Sequence, residues 1–201
     1  MKTILNAILL TALIFSCKAQ SIIVPIGSGD EHERNPNYYI KDVNNEFNKF
    51  EGIWIYNNGN TEITIKLKKE IKYQLKPELN YQDLLVGEYK YKYNNLEIVN
   101  SLNDINNPAI SGYSHNISGG SFQHRLPDNC IDNSLPEEIK IWLIISHPSN
   151  KDIEGRIILR YINDNGIEKI QACIYDYTTL AYGQNDRIAI PDGYYEFIKQ
   201  N

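Results

Sequence analysis

Four side chains that could take part in chemistry lie within one stretch of sixteen residues. His115, His124, Asp128 and Cys130 carry imidazole, carboxylate and thiol groups, which bind metals or act as bases and nucleophiles. Their spacing matches no established zinc pattern, and the sequence contains neither Gly-x-Ser-x-Gly nor His-Glu-x-x-His. We therefore expect a solvated loop here, with no metal, no cofactor and no catalytic residue.

A second group consists of tyrosines at positions that alternation assigns to the inner face of β-strands. Their rings would contact an amphipathic ligand while their hydroxyl groups supply a few hydrogen bonds. The expected ligand contacts are Tyr56, Tyr89, Tyr91 and Tyr161 on strands, and Tyr113, His115, Phe122 and His124 in the long loop described below. The alternative is a filled interior in which the hydroxyl groups reach water at the rim.

Two cysteines, Cys130 and Cys173, follow a segment that has the features of an export signal. An oxidising compartment permits a disulfide between them, and closing the loop would stabilise the fold by about 4 kcal/mol on the chain-entropy model. Two buried thiols are equally common in proteins. The sequence leaves both interpretations open.

The elements that must position these groups are strands, because the apolar period is two almost throughout. In the stretch NKFEGIWIYNNGN, residues 48 to 60, apolar residues and glycine alternate and end at Asn58-Gly59. A two-residue turn at Asn58-Gly59 predicts that Trp54 pairs with Ile63 and Gly52 with Ile65. All four residues then share one face, which we interpret as the inner face of a first hairpin.

Two further hairpins agree in register and in turn chemistry. They turn at Asn94-Asn95 and at Asn165-Gly166. The predicted pairs are Tyr93–Leu96 and Tyr91–Ile98 in the second hairpin, and Tyr161–Ile170, Leu159–Ala172 and Ile157–Ile174 in the third. This agreement is stronger evidence for strands than propensity alone.

The complete pattern predicts an all-β fold, an antiparallel meander of about eight strands. A long bent strand over 61–75, a strand over 137–146 and a late strand in RIAIP complete the set. We favour a barrel over a β-sandwich because the long strand must coil. Residues 103–136 lack periodicity, so we expect a long loop that gates a cavity or contacts a partner.

The amino terminus, MKTILNAILLTALIFSC, combines Lys2 with an apolar run too short to span a membrane as a stable helix. Its end resembles a bacterial lipobox, which implies that Cys17 carries lipid. We therefore divide the chain into a signal peptide (1–17), a tether (18–45) and one barrel-like domain (46–201). The expected location is the bacterial cell envelope, with the membrane as partner; cleavage after Ala19 and a secreted soluble protein is the alternative.

Charge excludes one class of partner. The formal net charge is −5 at pH 7, and the sequence has no basic stripe. Duplex nucleic acid binds proteins mainly through lysine and arginine contacts to phosphates. We therefore expect no nucleic-acid partner.

The segment NKFEGIW resembles the first-strand signature of lipocalins and other calycins, a Gly-x-Trp that enters a barrel. The resemblance implies that Trp54 plugs the closed end, that Gly52 lets a neighbouring segment approach its ring, and that a late arginine, Arg187 by position, covers it. It also implies that a ligand enters at the opposite mouth.

A second resemblance covers about residues 46–201. The segments FEGIWIYNNGNTEITIKLKK, DLLVGEYKYKYNN and IAIPDGYYEFIKQ resemble a family of uncharacterised secreted proteins and lipoproteins from flavobacteria and their relatives. That family implies no activity.

The expected function follows from the expected location in the cell envelope and from the expected barrel fold. We expect a non-enzymatic envelope lipoprotein that binds a small amphipathic or hydrophobic ligand in a barrel lined by tyrosine and tryptophan. The alternative is a surface lipoprotein that engages another protein, as an inhibitor or immunity protein does, and that has no ligand cavity.

Overall fold

The computed structural model describes residues 21–29, 35–127, 130, 134–135, 137–176 and 187–200. Cys17 and Asp128, singled out above, lie outside these residues. The described strands are β1 (Ile22–Pro25), β2 (Tyr38–Lys41), β3 (Gly52–Asn57), β4 (Thr61–Tyr73), β5 (Tyr81–Tyr93), β6 (Leu96–Asn100), β7 (Ile117–Gln123), β8 (Lys140–His147), β9 (Asn150–Asp164), β10 (Ile167–Asp176) and β11 (Gly193–Gln200). Three short 3₁₀ helices are η1 (Glu46–Lys49), η2 (Leu102–Asn106) and η3 (Gly112–Ser114).

Eight of these strands form a closed antiparallel barrel. The ring runs β3, β4, β5, β7, β8, β9, β10 and β11, and β11 pairs with β3 to close it. The predicted all-β barrel is therefore confirmed, and the sandwich alternative is excluded because hydrogen bonds join every neighbouring pair around the ring. None of the described helices is long and apolar enough to cross a bilayer.

The barrel has two ends, which we name after the connections that they carry. The connection from Tyr73 to Tyr81 lies at the β4–β5 end. The turn at Asn94 and Asn95 lies at the opposite, β5–β6 end. Because β11 runs antiparallel to β3, its last residues lie at the β4–β5 end, beside the start of β3.

Three strands lie outside the ring. β1 and β2 extend the sheet in parallel from the start of β5, while β6 pairs with the end of β5. The prediction of a tether over 18–45 is therefore wrong where β1 and β2 form. The short apolar runs IIVP and YYIK explain this, because Val24, Tyr39 and Ile40 are buried against the barrel.

The register of the first hairpin differs from the prediction by two residues. Trp54 pairs with Ile65 rather than Ile63, because the turn centres on Gly59-Asn60. Gly59 has a φ of 92°, as the first central residue of a type II′ turn requires. A shift of two residues leaves every side chain on its predicted face.

The other two hairpins follow their turn chemistry. Asn94 and Asn95 both have positive φ, and Tyr93 pairs with Leu96 as predicted. A bulge after Tyr91 then pairs that residue with Val99 and leaves Ile98 exposed. In the third hairpin all three predicted pairs are confirmed.

The expectation of a loop over 103–136 is wrong for residues 117–123. These residues form β7, which completes the wall between β5 and β8, and Ile117 is fully buried. The sequence ISGGSFQ hides this strand, because a bulge between Gly119 and Ser121 interrupts its alternation. The helix η2 packs outside the barrel against β4 and β5, and η3 packs against β7 and β5.

The predicted late strand RIAIP is also wrong. Ile188 and Ile190 lie on the connection that enters β11, and both side chains are buried in the core at the β5–β6 end. They close the mouth at which the lipocalin resemblance placed a ligand. The final strand is β11 instead.

Candidate functional site

Trp54 closes the β4–β5 end of the barrel. Its ring is 0% exposed, and its Nε1 donates a hydrogen bond to the carbonyl oxygen of Phe50 at 2.7 Å. The ring of Tyr161 meets it edge-on, with 6.5 Å between centroids. The ammonium group of Lys199 lies 5.3 Å from the centroid of the Trp54 ring.

The cation over Trp54 is therefore Lys199 and not Arg187, which is exposed on the connection before β11. Lys199 also approaches Gly52, where a Cβ atom would lie 3.1 Å from its Cε. The close approach at Gly52 is therefore made by Lys199. Lys199 is held by Glu168, with 3.0 Å between Nζ and Oε2.

The tyrosines that we expected around a cavity pack within the core. Tyr89 is fully buried and donates its hydroxyl hydrogen bond to the carbonyl oxygen of Ser146 at 3.1 Å. Tyr56 packs edge-on against Tyr195, with 5.0 Å between ring centroids, and burial raises the pKa of Tyr195 to about 12. Tyr161 donates to Glu168 at 2.7 Å. These rings contribute packing, as the filled-interior alternative requires.

One continuous apolar cluster occupies the interior. Its members come from all eight barrel strands, from η1 and from the connections before β3 and β11. The buried members include Phe47, Phe50, Trp54, Ile63, Ile65, Leu67, Leu85, Tyr89, Tyr91, Ile117, Ile141, Leu143, Ile145, Ile157, Leu159, Ile170, Ala172, Ile174, Ile190, Tyr195 and Phe197. A ligand site must therefore be sought outside this core.

A buried polar cluster lies on the outer face of β5, beneath the connection to β7. Nδ1 of His115 lies 2.9 Å from Oε1 of Glu88, and Nε2 of His115 lies 3.3 Å from Oε1 of Glu70. The Asn116 side chain donates to the other oxygen of Glu88 and accepts from Lys151. His115 is thus enclosed by its partners, and its predicted role as a ligand contact is wrong.

Hydrogen bonds decide the charge state of Glu88. Burial alone would raise the pKa of this carboxyl group, but hydrogen bonds from His115, Ser101 and Asn116 outweigh burial and hold the pKa below its usual range. Burial lowers the pKa of Lys151, opposed by the negative charge of Glu88. The cluster fastens the connection to the barrel wall, and Lys151 is its member most exposed to solvent.

Cys130 and Cys173 form a disulfide with an S–S distance of 2.00 Å and a Cα–Cα distance of 5.8 Å. The bond ties the segment after β7 to the outer face of β10, where it packs with Ile158 and Trp142. Neither cysteine is therefore a nucleophile or a metal ligand. Within the described ranges, no cluster of three or more histidine, cysteine or acidic side chains is arranged to hold a metal.

The wall opens where β5 and β7 separate. These strands pair only between Leu85–Gly87 and Ile117–Gly119, and toward the β4–β5 end they diverge. A cleft of about 870 Å³ occupies the gap beside β1 and β2. Its lining residues include Ile26, Gly27, Ile40, Leu75, Leu79, Asn80, Gln82, Asp83, Leu84, Tyr113, Gly120, Ser121, Phe122 and Gln123.

The cleft combines apolar walls with uncharged hydrogen-bonding groups. Phe122 on β7 and Tyr113 on η3, both predicted as contacts, line the cleft. The side-chain amide of Gln82 donates to the Tyr113 hydroxyl at 3.1 Å. His124, the remaining predicted contact, follows β7 and is exposed outside this lining.

The charged residue in the cleft lining is already engaged. The Asp83 carboxylate accepts hydrogen bonds from the Tyr39 hydroxyl and from the backbone N–H groups of Asp42 and Lys72. Burial, followed by the bond to Asp83, raises the pKa of Tyr39. Asp83 thus joins β2, β4 and β5 and is satisfied within the protein.

A second, smaller cleft of about 450 Å³ lies at the same end of the barrel, next to η1 and Tyr161. Its wall carries Arg160 and Glu138, which form a bidentate ion pair, with 2.9 Å between Nη2 and Oε1. The paired charges line the cleft with polar surface, and we regard the larger cleft as the better candidate for a ligand.

A profile of a family of unknown function, DUF6705, matches residues 1–200. The chain belongs to this family. Its membership confirms the expectation of an uncharacterised family. No curated protein matches the sequence, and no solved structure matches it either.

No pattern in the sequence predicted the cleft as a whole. Four elements far apart in the chain contribute to it, and the divergence of β5 from β7 has no periodic signal. The pair Gly119-Gly120 within an apolar segment was the one available sign. A Cβ atom at Gly120 would lie 2.7 Å from the ring of Phe47, so this glycine marks a close approach rather than a flexible loop.

Proposed function

We propose that this protein is a lipid-anchored envelope protein, without enzymatic activity, that holds one neutral amphipathic molecule in the cleft between β5 and β7. The cleft itself carries the proposal: about 870 Å³, with walls from Leu79 and Phe122 and polar groups from Gln82 and Tyr113. Small-molecule sites typically measure about 300–1,000 Å³ and place a few polar groups in apolar walls.

The ligand is proposed to be neutral because the charged residue of the cleft lining already has partners within the protein. Asp83 is engaged by Tyr39 and by two backbone N–H groups. A buried ion in a ligand requires a partner of opposite charge. An amphipathic molecule without net charge is satisfied by amide and hydroxyl groups and by the apolar walls.

The proposed location rests on Cys17. The residues Leu13 to Cys17 resemble a lipobox, and the chain resembles secreted proteins and lipoproteins of flavobacteria. Several acyl chains on one cysteine make an anchor effectively permanent. We expect Cys17→Ser to move the protein from the membrane fraction to the soluble fraction; equal fractionation of mutant and wild type would refute the anchor.

Binding in the cleft is tested with the neutral, environment-sensitive dye Nile red on purified Cys17→Ser protein. We expect saturable binding that Ser121→Trp reduces at least tenfold, because Ser121 is an exposed residue of the cleft lining and the indole would fill the space. Ser149→Trp is the matched control, since Ser149 is exposed on the turn between β8 and β9. Equal dye binding by the two variants would exclude the cleft.

The natural ligand is sought by native mass spectrometry of protein purified from its own host. A co-purifying mass of a few hundred daltons, absent from Ser121→Trp and present in Ser149→Trp, would support the proposal. A co-purifying protein would support the second candidate instead.

That second candidate is a protein-binding role, and the β5–β6 hairpin favours it. Leu96 and Ile98 are exposed on β6, and within the described part of the chain β6 pairs on one side only, with β5. An unpaired edge accepts a strand from another protein. Leu96→Glu should then reduce capture of a protein partner without affecting Nile red binding.

A further inference from the structure

Exposed apolar side chains gather at the β4–β5 end of the barrel. Ile22 and Ile23 on β1 are 51% and 50% exposed, and Ile71 and Leu75 are 71% and 48% exposed. Isolated exposed apolar residues are ordinary on soluble proteins, but a group of large ones marks an interaction surface.

Strand pairing places these residues on neighbouring elements. β1 pairs with β2, β2 pairs with the first residues of β5, and β5 pairs with the last residues of β4. One row of paired residues runs through Ile23, Tyr39 and Tyr81. Because β1 begins one residue before this row, Ile22 lies at the β4–β5 end.

The chain between Cys17 and Ile22 is short, which limits how far a lipid on Cys17 can lie from β1. Even when fully extended at about 3.3–3.6 Å per residue, the chain from Cys17 to Ile22 reaches only roughly 18 Å. A lipid on Cys17 therefore holds the β4–β5 end close to the bilayer, whatever the orientation of the rest of the barrel.

Aromatic and cationic side chains border the apolar group. The Lys72 ammonium lies 5.0 Å from the centroid of the Tyr81 ring and 5.7 Å from that of Tyr39. Lys41 lies 5.9 Å from the Tyr39 centroid. Tyrosine and lysine suit the boundary between lipid and water, because each joins an apolar body to a polar tip.

We propose that the β4–β5 end docks on the bilayer that holds the anchor, with Ile22, Ile23, Ile71 and Leu75 in its interfacial region. The inference rests on the lipid anchor of the proposed function. Leu75 also lines the cleft, so docking brings the cleft to the lipid–water boundary, where neutral amphipathic molecules concentrate.

The test compares two exposed leucines at opposite ends of the barrel. Leu75→Cys and Leu96→Cys are each labelled with the fluorophore NBD in the full lipidated protein; the disulfide-bonded Cys130 and Cys173 do not react. The proteins are reconstituted in 3:1 phosphatidylcholine–phosphatidylglycerol vesicles, with and without headgroup-proximal doxyl lipid. We expect quenching at Leu75→Cys at least threefold greater than at Leu96→Cys. Equal quenching, or stronger quenching at Leu96→Cys, would overturn the docking.

A second variant separates docking from anchoring. Ile22→Ser with Ile23→Ser leaves Cys17 intact, and we expect it to keep the protein on vesicles while lowering the quenching at Leu75→Cys by at least half. Unchanged quenching would show that β1 does not enter the bilayer. Failure of the lipidated protein to associate with vesicles would overturn the inference, whereas Nile red binding is measured without a membrane and reports on the cleft alone.

Discussion

Glu88 and His115 form a contact between two side chains that solvent does not reach, with 2.9 Å between Oε1 and Nδ1. The carboxylate lies on the barrel wall and the imidazole lies just after η3, so the contact joins the wall to the connection that covers it. Both ring nitrogens of His115 lie within hydrogen-bond distance of a carboxylate, the second belonging to Glu70.

This arrangement predicts sensitivity to acid. The pKa of Glu88 is lowered in the folded protein, so its contribution to stability is present above the ordinary glutamate pKa of about 4.3 and is lost as pH falls through the lowered value. Glu88→Gln should lower the free energy of unfolding by about 3 kcal/mol at pH 7. The difference in unfolding free energy between this variant and wild type should become smaller below about pH 4. Urea midpoints between pH 7 and pH 3 measure this, with exposed Glu97→Gln as control. A gap that stays constant with pH would contradict the expected charge on Glu88.

Trp54→Ala should lower the free energy of unfolding by roughly 3–5 kcal/mol, because it removes a fully buried ring and leaves a cavity. Lys199→Met keeps the aliphatic contact with the ring and should cost no more than about 1 kcal/mol of cation–π energy. Chemical denaturation compares the two variants. Similar losses for both would mean that the charge of Lys199, and not the buried ring, determines the stability of this end.

Removal of the disulfide should be costly. Cys130 and Cys173 are separated by 43 residues, and closing such a loop stabilises a fold by about 4 kcal/mol on the chain-entropy model. We expect the double substitution Cys130→Ser with Cys173→Ser to lower the unfolding free energy by that order. Denaturation of wild type under reducing conditions should give the same loss, and no loss in either case would refute the estimate.

Replacement of residues 106–126 by a Gly-Ser linker should prevent folding, because it removes β7 from the ring. A milder change offers the control. Residues 107–110 form an exposed turn between η2 and η3, closed by a backbone bond from Ile110 to Asn107. Their replacement by Gly-Ser should leave the melting temperature within a few degrees. Near-ultraviolet circular dichroism distinguishes the outcomes, and a folded 106–126 variant would exclude β7 as an essential strand.

Local signals in the sequence were sufficient for the register of the third hairpin. The turn Asn165-Gly166 and the alternation around it predicted the register of β9 and β10 correctly, because both act over a few residues. The first hairpin shows the limit of such signals: Asn58-Gly59 and Gly59-Asn60 are both good turns, and the structure uses the second.

Features that depend on closure could not be predicted in this way. Lys199 reaches Trp54 only because β11 pairs with β3, which joins residues from opposite ends of the domain sequence. Arg187 has the positive charge expected of a residue over Trp54, but its place late in the sequence does not bring it to the ring. The segment ISGGSFQ also lacks the alternation of apolar and polar residues that would reveal β7. Two glycines in close contact with their neighbours and a bulge occupy the middle of this strand, so few side chains show its period.

The pairing of β5 with β7 has a consequence for motion. Three residue pairs join these strands, whereas β9 and β10 share ten. Local opening of a fold follows its least-supported hydrogen bonds, so this seam should break and re-form while β9 and β10 stay paired. Amides of Leu85–Gly87 that bond across the seam should then exchange with solvent hydrogen sooner than those of β9. Because the cleft begins where the seam ends, the same opening would widen its entrance and set how fast a bound molecule leaves.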